Sequence, residues 1–196
     1  MQTIHKILKT FFILIFIFVF GGCLGKELPR IAHYELSLDT ETLSQYQTQF
    51  TGKKVRNPSP FVYLGSEASL KIASKKIAYK INENAIEYFV RNEWIEPLPL
   101  MIDSLVLKAS KPLGYIPTKE LKSRIPTLAL NLLDFYYDEK QEIVVLNLLV
   151  KIRDSSQLLK KEVKVQKGNF YQIIVAMNQA VNSAILDSFN LLGQGN

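Results

Sequence analysis

Apolar residues recur at every second position along several stretches of the chain, which is the pattern of strands that bury one face. The spacing runs through Lys76–Ile81 and returns in Ile86–Val90 after the polar turn Asn82–Asn84. Two alternating stretches joined by so short a turn predict a β-hairpin. Its buried face should hold Ile77, Tyr79, Ile81, Ile86, Tyr88 and Val90.

The same alternation predicts further strands on both sides of the hairpin. A first strand is expected at His33–Leu38, and three more at Arg124–Tyr136, Ile143–Ile152 and Leu159–Gln166. The turns between the last three are short and polar, so these strands should form an antiparallel meander. Within Arg124–Tyr136 the inward positions should shift near Leu133–Phe135.

The segment before the hairpin gives no single interpretation. Pro58 and Pro60 argue against a central strand, because proline cannot donate to the ladder. Phe61–Leu64 is therefore either an edge strand or a stretch packed under a loop. Ser66–Ser74 is either a helical turn or an extended lead-in to the hairpin.

A helix is predicted directly after the hairpin, because the apolar spacing changes from two to the i, i+3, i+4, i+7 pattern. If Glu96 is the N-cap, Pro97 falls in the first turn, where its missing N–H costs nothing. The preceding residues Arg91–Glu96 should form a corner. Trp94 on this corner is interpreted as a core residue that closes the junction of hairpin and helix, with a contact role as the alternative. The apolar stripe of the helix is Leu98, Met101, Ile102, Leu105, Val106 and Ala109.

A second helix is predicted over Phe170–Leu192, with Gly193 at the C′ position. Its apolar stripe is Ile174, Met177, Val181, Ala184, Ile185, Phe189 and Leu192. Two amphipathic helices and five to six strands predict an α/β (α+β) fold. The expected form is a two-layer sandwich, in which an antiparallel or mixed sheet carries both helices on one face. At 196 residues and 47% hydrophobic content, the chain has room for one such domain, placed at residues 32–193.

The first residues have the composition of an export signal. Lys6 and Lys9 precede the unbroken apolar run Phe11–Phe20, and Gly21-Gly22 precedes Cys23, the only cysteine. A membrane-spanning helix is the rival interpretation. The charge-free stretch between the lysines and Lys26 is shorter than the ~20 apolar residues that cross a bilayer, and it ends in glycines.

Phe20-Gly21-Gly22-Cys23 resembles the bacterial lipobox, with Phe where Leu is usual. That resemblance implies cleavage after residue 22, lipid attachment at Cys23 and a tether over residues 23–31. The lipid would hold the protein at a membrane without spanning it. The absence of Asp after the cysteine, where Leu24 stands, implies the outer membrane.

Candidate chemistry is sparse in the remaining chain. His33 is the one histidine after the signal, and no nucleotide-binding glycine loop or metal-binding Cys/His spacing occurs. The formal charge of +6 falls by two when Lys6 and Lys9 are removed, and the other lysines are scattered. We therefore expect no enzyme, no cofactor, no metal and no nucleic-acid partner.

The order of elements and several short motifs resemble the ABC-type transport auxiliary lipoprotein family. The sharpest motif is Trp94–Pro99 (WIEPLP); the others are Tyr34–Leu36, Lys76–Lys80, the strand pair around Phe135 and Leu146–Ile152, and Met177–Ala180. The resemblance spans about Ile31 to Leu192, and it is poor over Lys53–Ser74.

The resemblance implies a non-catalytic periplasmic subunit of an intermembrane lipid-transport system. Its partners would be a mammalian-cell-entry (MCE) domain protein and an ABC permease with its ATPase. The chain would dock that transporter to the outer membrane, and homo-oligomers are open, since some members form rings. The alternative is a structural envelope lipoprotein that acts in outer-membrane or cell-wall assembly without a transporter. Trp94, Glu96 and Pro97 are the candidate structural or interaction residues, and Cys23 is the candidate lipid-attachment site.

Overall fold

The fold is taken from a computed structural model that describes residues 30–41, 43–44 and 58–194. All of them except Arg30 belong to the compact unit Ile31–Asn196. The predicted signal peptide, Cys23 and almost all of the tether lie outside the described residues. Those predictions therefore stay predictions.

The described residues form eight strands and two long helices. The strands are β1 (Ala32–Tyr34), β2 (Ser59–Ala68), β3 (Lys76–Asn82), β4 (Ala85–Trp94), β5 (Tyr115–Pro117), β6 (Thr127–Asp138), β7 (Ile143–Ile152) and β8 (Ser155–Lys164). The helices are α1 (Leu98–Ser110), between β4 and β5, and α2 (Phe170–Gln194), which follows β8.

One mixed sheet contains all eight strands. The meander β6–β7–β8 is antiparallel, as its short polar turns predict. The edge of β6 that faces away from β7 pairs with two strands, one after the other. β2 pairs in parallel with the first half of β6, and β3 pairs in parallel with its last two residues. The sheet therefore splits into two branches, with β5 beyond β2, and with β4 and then β1 beyond β3.

A bulge in β6 marks the branch point. The register against β7 shifts between Leu132 and Asp134, at the place where the sequence predicts a change of face. Leu128, Leu130 and Leu132 point into the core before the shift, and Phe135 does so after it. The peptide groups freed at the bulge are bonded by Ser69, whose N–H donates to the Leu132 carbonyl and whose hydroxyl donates to that of Leu133, both at 2.9 Å.

Both helices cover the same face of the sheet. Residues of α1 and α2 meet the inward leucines of β6 and β7 around one small gap. The gap is lined by Ile102, Leu130, Leu132, Leu146, Leu148, Val181, Ala184 and Ile185. Every residue of the two predicted helical stripes is buried. The predicted α/β class with two helices on one face is confirmed, and the mixed sheet has eight strands where five to six were expected.

The additional strands come from segments whose sequence lacks a clear alternation. β2 includes Pro60, yet it pairs on both sides, because the proline lies in the short ladder to β5 and the ladder to β6 begins at Val62. β5 is only three residues long. β1 is equally short, so the predicted strand His33–Leu38 is wrong beyond Tyr34.

The predicted buried face of the hairpin is partly wrong. Ile77 is fully buried, but Val90 is 85% exposed and Ile81 is also exposed. The cause is an irregular register between β3 and β4, where Lys76 pairs with Glu93 and Ala78 already pairs with Tyr88. The extra residues in β4 form a bulge, which breaks the two-residue period that the sequence suggests.

The bulge of β6 also holds an ion pair that depends on pH. Asp134 bonds Lys71 at 2.5 Å and Asn147 at 2.8 Å. Burial works to raise the pKa of Asp134, but these two bonds and the charges of Lys71 and Lys80 outweigh it and lower the pKa below 3.8. A lowered carboxylate pKa contributes stability above about pH 3.8 that is lost as pH falls through the folded-state pKa.

Replacing Lys71 with Met should therefore lower the free energy of unfolding by about 0.5 kcal/mol at pH 7, a small value because the lysine is partly exposed. The difference from the unsubstituted protein should shrink as pH falls below about 3.8 and should vanish once Asp134 is protonated in the folded state. Urea unfolding over a series of pH values from 7 downwards measures it. Lys75→Met, which removes a neighbouring lysine without a carboxylate partner in the described chain, should show no such pH-dependent difference.

Candidate functional site

The predicted site residues Trp94, Glu96 and Pro97 lie together where β4 turns into α1. Trp94 is the last residue of β4 and is buried, while Glu96 is exposed and Pro97 is half-buried. The predicted corner at Arg91–Glu96 is therefore too long, since the strand continues through Trp94. Glu96 is not the N-cap either: Pro97 takes that place without a side-chain cap, and the helix begins at Leu98.

Trp94 packs inside the domain. Its ring lies parallel to that of Phe135 with the ring centres 6.1 Å apart. The backbone N–H of Trp94 donates to the Lys75 carbonyl at 2.7 Å. The bulge of β6 turns Phe135 into the core, where it stacks on Trp94. The corner between β4 and α1 is therefore packed against the branch point of the sheet. Trp94 thus joins the end of β4 to β6, and at 1% exposure it offers no surface to a partner.

The N-terminal segment of the domain attaches beside this corner. β1 runs parallel to the end of β4, with Ala32 opposite Asn92 and Tyr34 opposite Trp94. The N–H of Ile95 donates to the Tyr34 carbonyl at 2.8 Å. The Tyr34 hydroxyl donates to Asn92 Oδ1 at 3.1 Å.

Two asparagines of α2 bind the backbone that follows β1. Asn178 Oδ1 accepts from the Ser37 N–H, and Asn182 Oδ1 accepts from the Asp39 N–H, each at 2.9 Å. Asn182 Nδ2 donates to the Ser37 carbonyl at 2.9 Å. We call these four residues the asparagine clasp. Because the asparagines are four residues apart, they lie on one face of the helix. Their side chains bond the backbone of Ser37 and Asp39, much as the backbone of a neighbouring strand would.

Burial reinforces the asparagine clasp from both sides. Leu36 precedes it and Leu43 follows it, and both side chains are buried in the core. Asn182 itself is only 4% exposed, and a buried amide without partners would cost about 1–3 kcal/mol. β1 and the asparagine clasp thus fix the chain that continues from the predicted tether to two different parts of the domain, the corner and α2.

Sequence reasoning did not find the asparagine clasp. In the sequence, Met177–Ala180 contributes only to the family resemblance, which implies no role for Asn178. The available signal was Asn182, a polar residue directly between Val181 and the stripe residues Ala184 and Ile185. Asparagine at a buried helical position usually bonds backbone, but the sequence does not say which backbone.

A cleft of about 380 Å³ lies at the start of α2. It is lined by Tyr137, Glu142, Val165, Gln166, Lys167, Gly168, Asn169, Phe170 and Ile173. Its asparagine is used internally, since Asn169 Oδ1 accepts from the N–H of Tyr171. Among the described residues, every buried side-chain nitrogen and oxygen has a hydrogen-bond partner, so no buried polar side-chain atom that lines this cleft lacks a partner.

The gap between the helices and the sheet is almost filled. Its volume is about 10 Å³, the space of about one water molecule. The sequence pattern is the same for an apolar groove and for a filled core, so it does not say which of the two lies under the helices. At this place the structure shows a filled core. A lipid chain does not fit between the helices and the strands there.

Three further observations concern chemistry and membranes. His33 is exposed on β1, opposite Glu93. Within residues 30–41, 43–44 and 58–194, no cluster of three or more His, Cys, Asp or Glu side chains has the arrangement of a metal site. No helix in that part of the chain has the length and hydropathy needed to span a bilayer.

Replacing Asn182 with Ala should lower the free energy of unfolding by about 2 kcal/mol, because Ser37 and Asp39 lose buried partners. It should also speed amide exchange at Asp39 while β7 stays protected. Urea unfolding and site-resolved hydrogen exchange measure both effects. Gln179→Ala, at an exposed neighbouring position, should change neither, and unchanged exchange at Asp39 in Asn182→Ala would contradict the assigned role.

Comparison with known proteins gives a likeness of fold. No family model matches the sequence, and no curated protein matches it either. The crystal structure of protein XCC0632 from Xanthomonas campestris, of family DUF330, has a TM-score of 0.60 and 14% identity, over 86% of this chain and 95% of that one. The crystal structure of an uncharacterized protein has a TM-score of 0.58 and 15% identity, over 85% and 99%. DUF330 is the ABC-type transport auxiliary lipoprotein family, so the chain shares the fold of that family.

Proposed function

We propose that this protein is a lipid-anchored periplasmic auxiliary subunit of an ABC/MCE-type intermembrane lipid-transport system. In this role it is non-catalytic and docks the transporter to the outer membrane. The observation that carries the proposal is the DUF330 fold over 86% of the chain, joined to a lipobox-like sequence that ends at Cys23.

The attachment of the N-terminal segment supports an anchored role. The described chain begins at Arg30 and enters β1 two residues later, so a lipid at Cys23 would be close to the folded domain along the chain. β1 and the asparagine clasp hold this segment on two elements. A force on the anchor would therefore act on the hydrogen bonds to β4 and on those to α2 at the same time.

The filled gap between the helices and the sheet supports a role in contact over a role in carrying lipid at that place. The gap holds about 10 Å³, whereas pockets for drug-sized ligands measure about 300–1,000 Å³. The cleft at the start of α2 reaches that size, at about 380 Å³, but polar side chains such as Glu142, Gln166 and Lys167 line it. The work proposed for this domain is therefore contact on its surface. In the proposed system the MCE protein provides the path for the lipid.

The anchor is tested with Cys23→Ala in cells labelled with radioactive palmitate. The variant should lose the label and move from the outer-membrane fraction to the soluble periplasmic fraction, because the thiol is the attachment atom. Gly22→Ala keeps a small residue before the cysteine and should remain acylated. Retention of the label and of the outer-membrane fraction by Cys23→Ala would exclude this anchor.

The partner is tested by crosslinking in intact cells and affinity purification of the anchored chain. An MCE-domain protein, with its ABC permease and ATPase, should co-purify. The soluble Cys23→Ala variant should recover less of it, since membrane confinement raises the local concentration. Recovery of cell-wall or outer-membrane assembly proteins without an MCE protein would favour the structural envelope lipoprotein instead.

A further inference from the structure

The loop between β5 and β6 is exposed and basic. It spans residues 118–126, in which Lys119, Lys122 and Arg124 are exposed. Glu120, the acidic residue of the loop, bonds Lys122. Lys119 and Arg124 form no ion pair with any residue that the structure describes. The loop therefore presents two cationic side chains that are available to a carboxylate from another molecule.

The turn between β7 and β8 lies beside this loop and adds to its charge. The Arg153 N–H donates to the Thr127 hydroxyl at 3.2 Å, and Arg153 Nη2 donates to the Arg124 carbonyl at 3.4 Å. Lys151 stands two residues before Arg153, is exposed and forms no ion pair within the described part of the chain. The next residue of the turn, Asp154, is exposed and acidic. We define the basic end of the sheet as Lys119, Glu120, Lys122, Arg124, Lys151, Arg153 and Asp154. Cations outnumber carboxylates in this set, so its net charge is positive.

Two apolar side chains are exposed beside these charges. Leu121 is 74% exposed in the middle of the loop, and Ile116 is 48% exposed on β5. The neighbouring Tyr115 packs on Phe189 of α2, so Ile116 points to the face of the sheet that carries no helix. An apolar centre within a polar and charged rim is the usual composition of a surface that binds another protein.

The basic end and β1 lie at opposite ends of the sheet. β1 runs parallel to β4, β4 runs antiparallel to β3, and β3 runs parallel to β6. The chain therefore enters β1 from the direction in which β6 ends, whereas the basic end lies where β6 begins. β3 meets β6 only at Tyr137 and Asp138, which places the whole β1 branch beside that far end of β6.

The lipid anchor proposed above would leave the basic end directed away from the membrane. Cys23 lies eight residues before Ile31, and a chain of that length spans at most about 28 Å. The sheet measures about 36 Å along β6. The β1 end is therefore held closest to the lipid, and the basic end faces the periplasm, where proteins are the available partners.

We propose that the basic end binds an acidic segment of a partner protein. Carboxylates of that segment pair with Lys119, Arg124 and Lys151, and an apolar side chain of the segment packs on Leu121. Opposite charges of this kind steer the association and fix its orientation, and an arginine adds a bidentate contact to a carboxylate. The orientation and the identity of the partner rest on the proposed function, in which the partner is the MCE protein. The acidic chemistry rests on the charges of the basic end alone.

The first test is photocrosslinking in intact cells that express the anchored chain. Benzoylphenylalanine in place of Leu121 should crosslink to the MCE protein about tenfold more than the same residue in place of Val90, because the label reacts only at contact distance. Val90 is 85% exposed on β4, in the branch at the other end of the sheet. Equal crosslinking, or crosslinking from Val90 alone, overturns the proposal. If no MCE protein co-purifies with the unsubstituted chain, the proposed function fails, and peptide binding decides this inference by itself.

The second test measures fluorescence anisotropy of two labelled synthetic peptides with the Cys23→Ala chain. One peptide alternates Glu with Leu and the other alternates Gln with Leu. The Glu peptide should bind about tenfold more tightly than the Gln peptide, and its affinity should fall as the salt concentration rises. Equal affinity for the two peptides overturns the proposal, whether or not an MCE protein is found.

A pair of double variants shows where the Glu peptide binds. Lys119→Glu with Arg124→Glu should lower its affinity by about tenfold, and the Arg124 carbonyl that bonds Arg153 stays in place. Lys140→Glu with Lys164→Glu makes the same change of net charge at exposed positions near the other end of β6 and should leave the affinity unchanged. An equal loss in both double variants overturns the proposal.

A lipid surface is the occupant that the last measurement separates from a protein. The Cys23→Ala chain should sediment with phosphatidylglycerol vesicles no more than its Lys119→Glu, Arg124→Glu form does. Sedimentation that this double substitution abolishes assigns the basic end to anionic lipid and overturns the proposal.

Discussion

The structure depends on one constraint, which is that a single edge of β6 must pair with two different strands. β2 occupies the first half of that edge and β3 the end, and the bulge at Leu132–Asp134 separates them. Without the bulge, a single ladder could run along the whole edge of β6, and either β2 or β3 would lose its place there. The bulge is stable because Ser69 bonds two of its carbonyls and Asn147 bonds its aspartate.

The branching decides where the two helices and the corner lie. Phe135 follows the bulge and points back into the core, where Trp94 stacks on it. The β3 branch therefore ends at the corner that starts α1, and the β2 branch gives α1 the strand it packs on, through Asp103 and Tyr63. The same two branches leave β1 beside the corner, within reach of α2.

The chain that carries the predicted tether is thus bound at the junction of every layer. β1 adds to the sheet, Leu36 enters the core, and the asparagine clasp bonds the segment to α2. This arrangement suits the anchored role proposed above. Because the gap between helices and sheet is filled, the proposal places the contacts of the domain on its outer surfaces.

The sequence by itself determined the elements whose burial follows a simple period. The meander β6–β7–β8, the shift of face near Leu133, the stripes of both helices and the α/β class are all found as predicted. Each of these stretches packs one face against one core, so the local pattern of apolar residues carries the answer.

Only the tertiary structure decided the features that depend on residues far apart in the chain. The parallel pairings of β1, β2 and β5, the bulge that exposes Val90, the helix start at Leu98 and the asparagine clasp have no periodic signature. β2 tolerates Pro60 because this residue lies in the three-residue ladder to β5, before the ladder to β6 begins at Val62. The core tolerates Asn182 because its side chain bonds the backbone of Ser37 and Asp39. A hydrogen bond or a strand pairing between distant segments is a property of the folded arrangement, and neither segment encodes its partner.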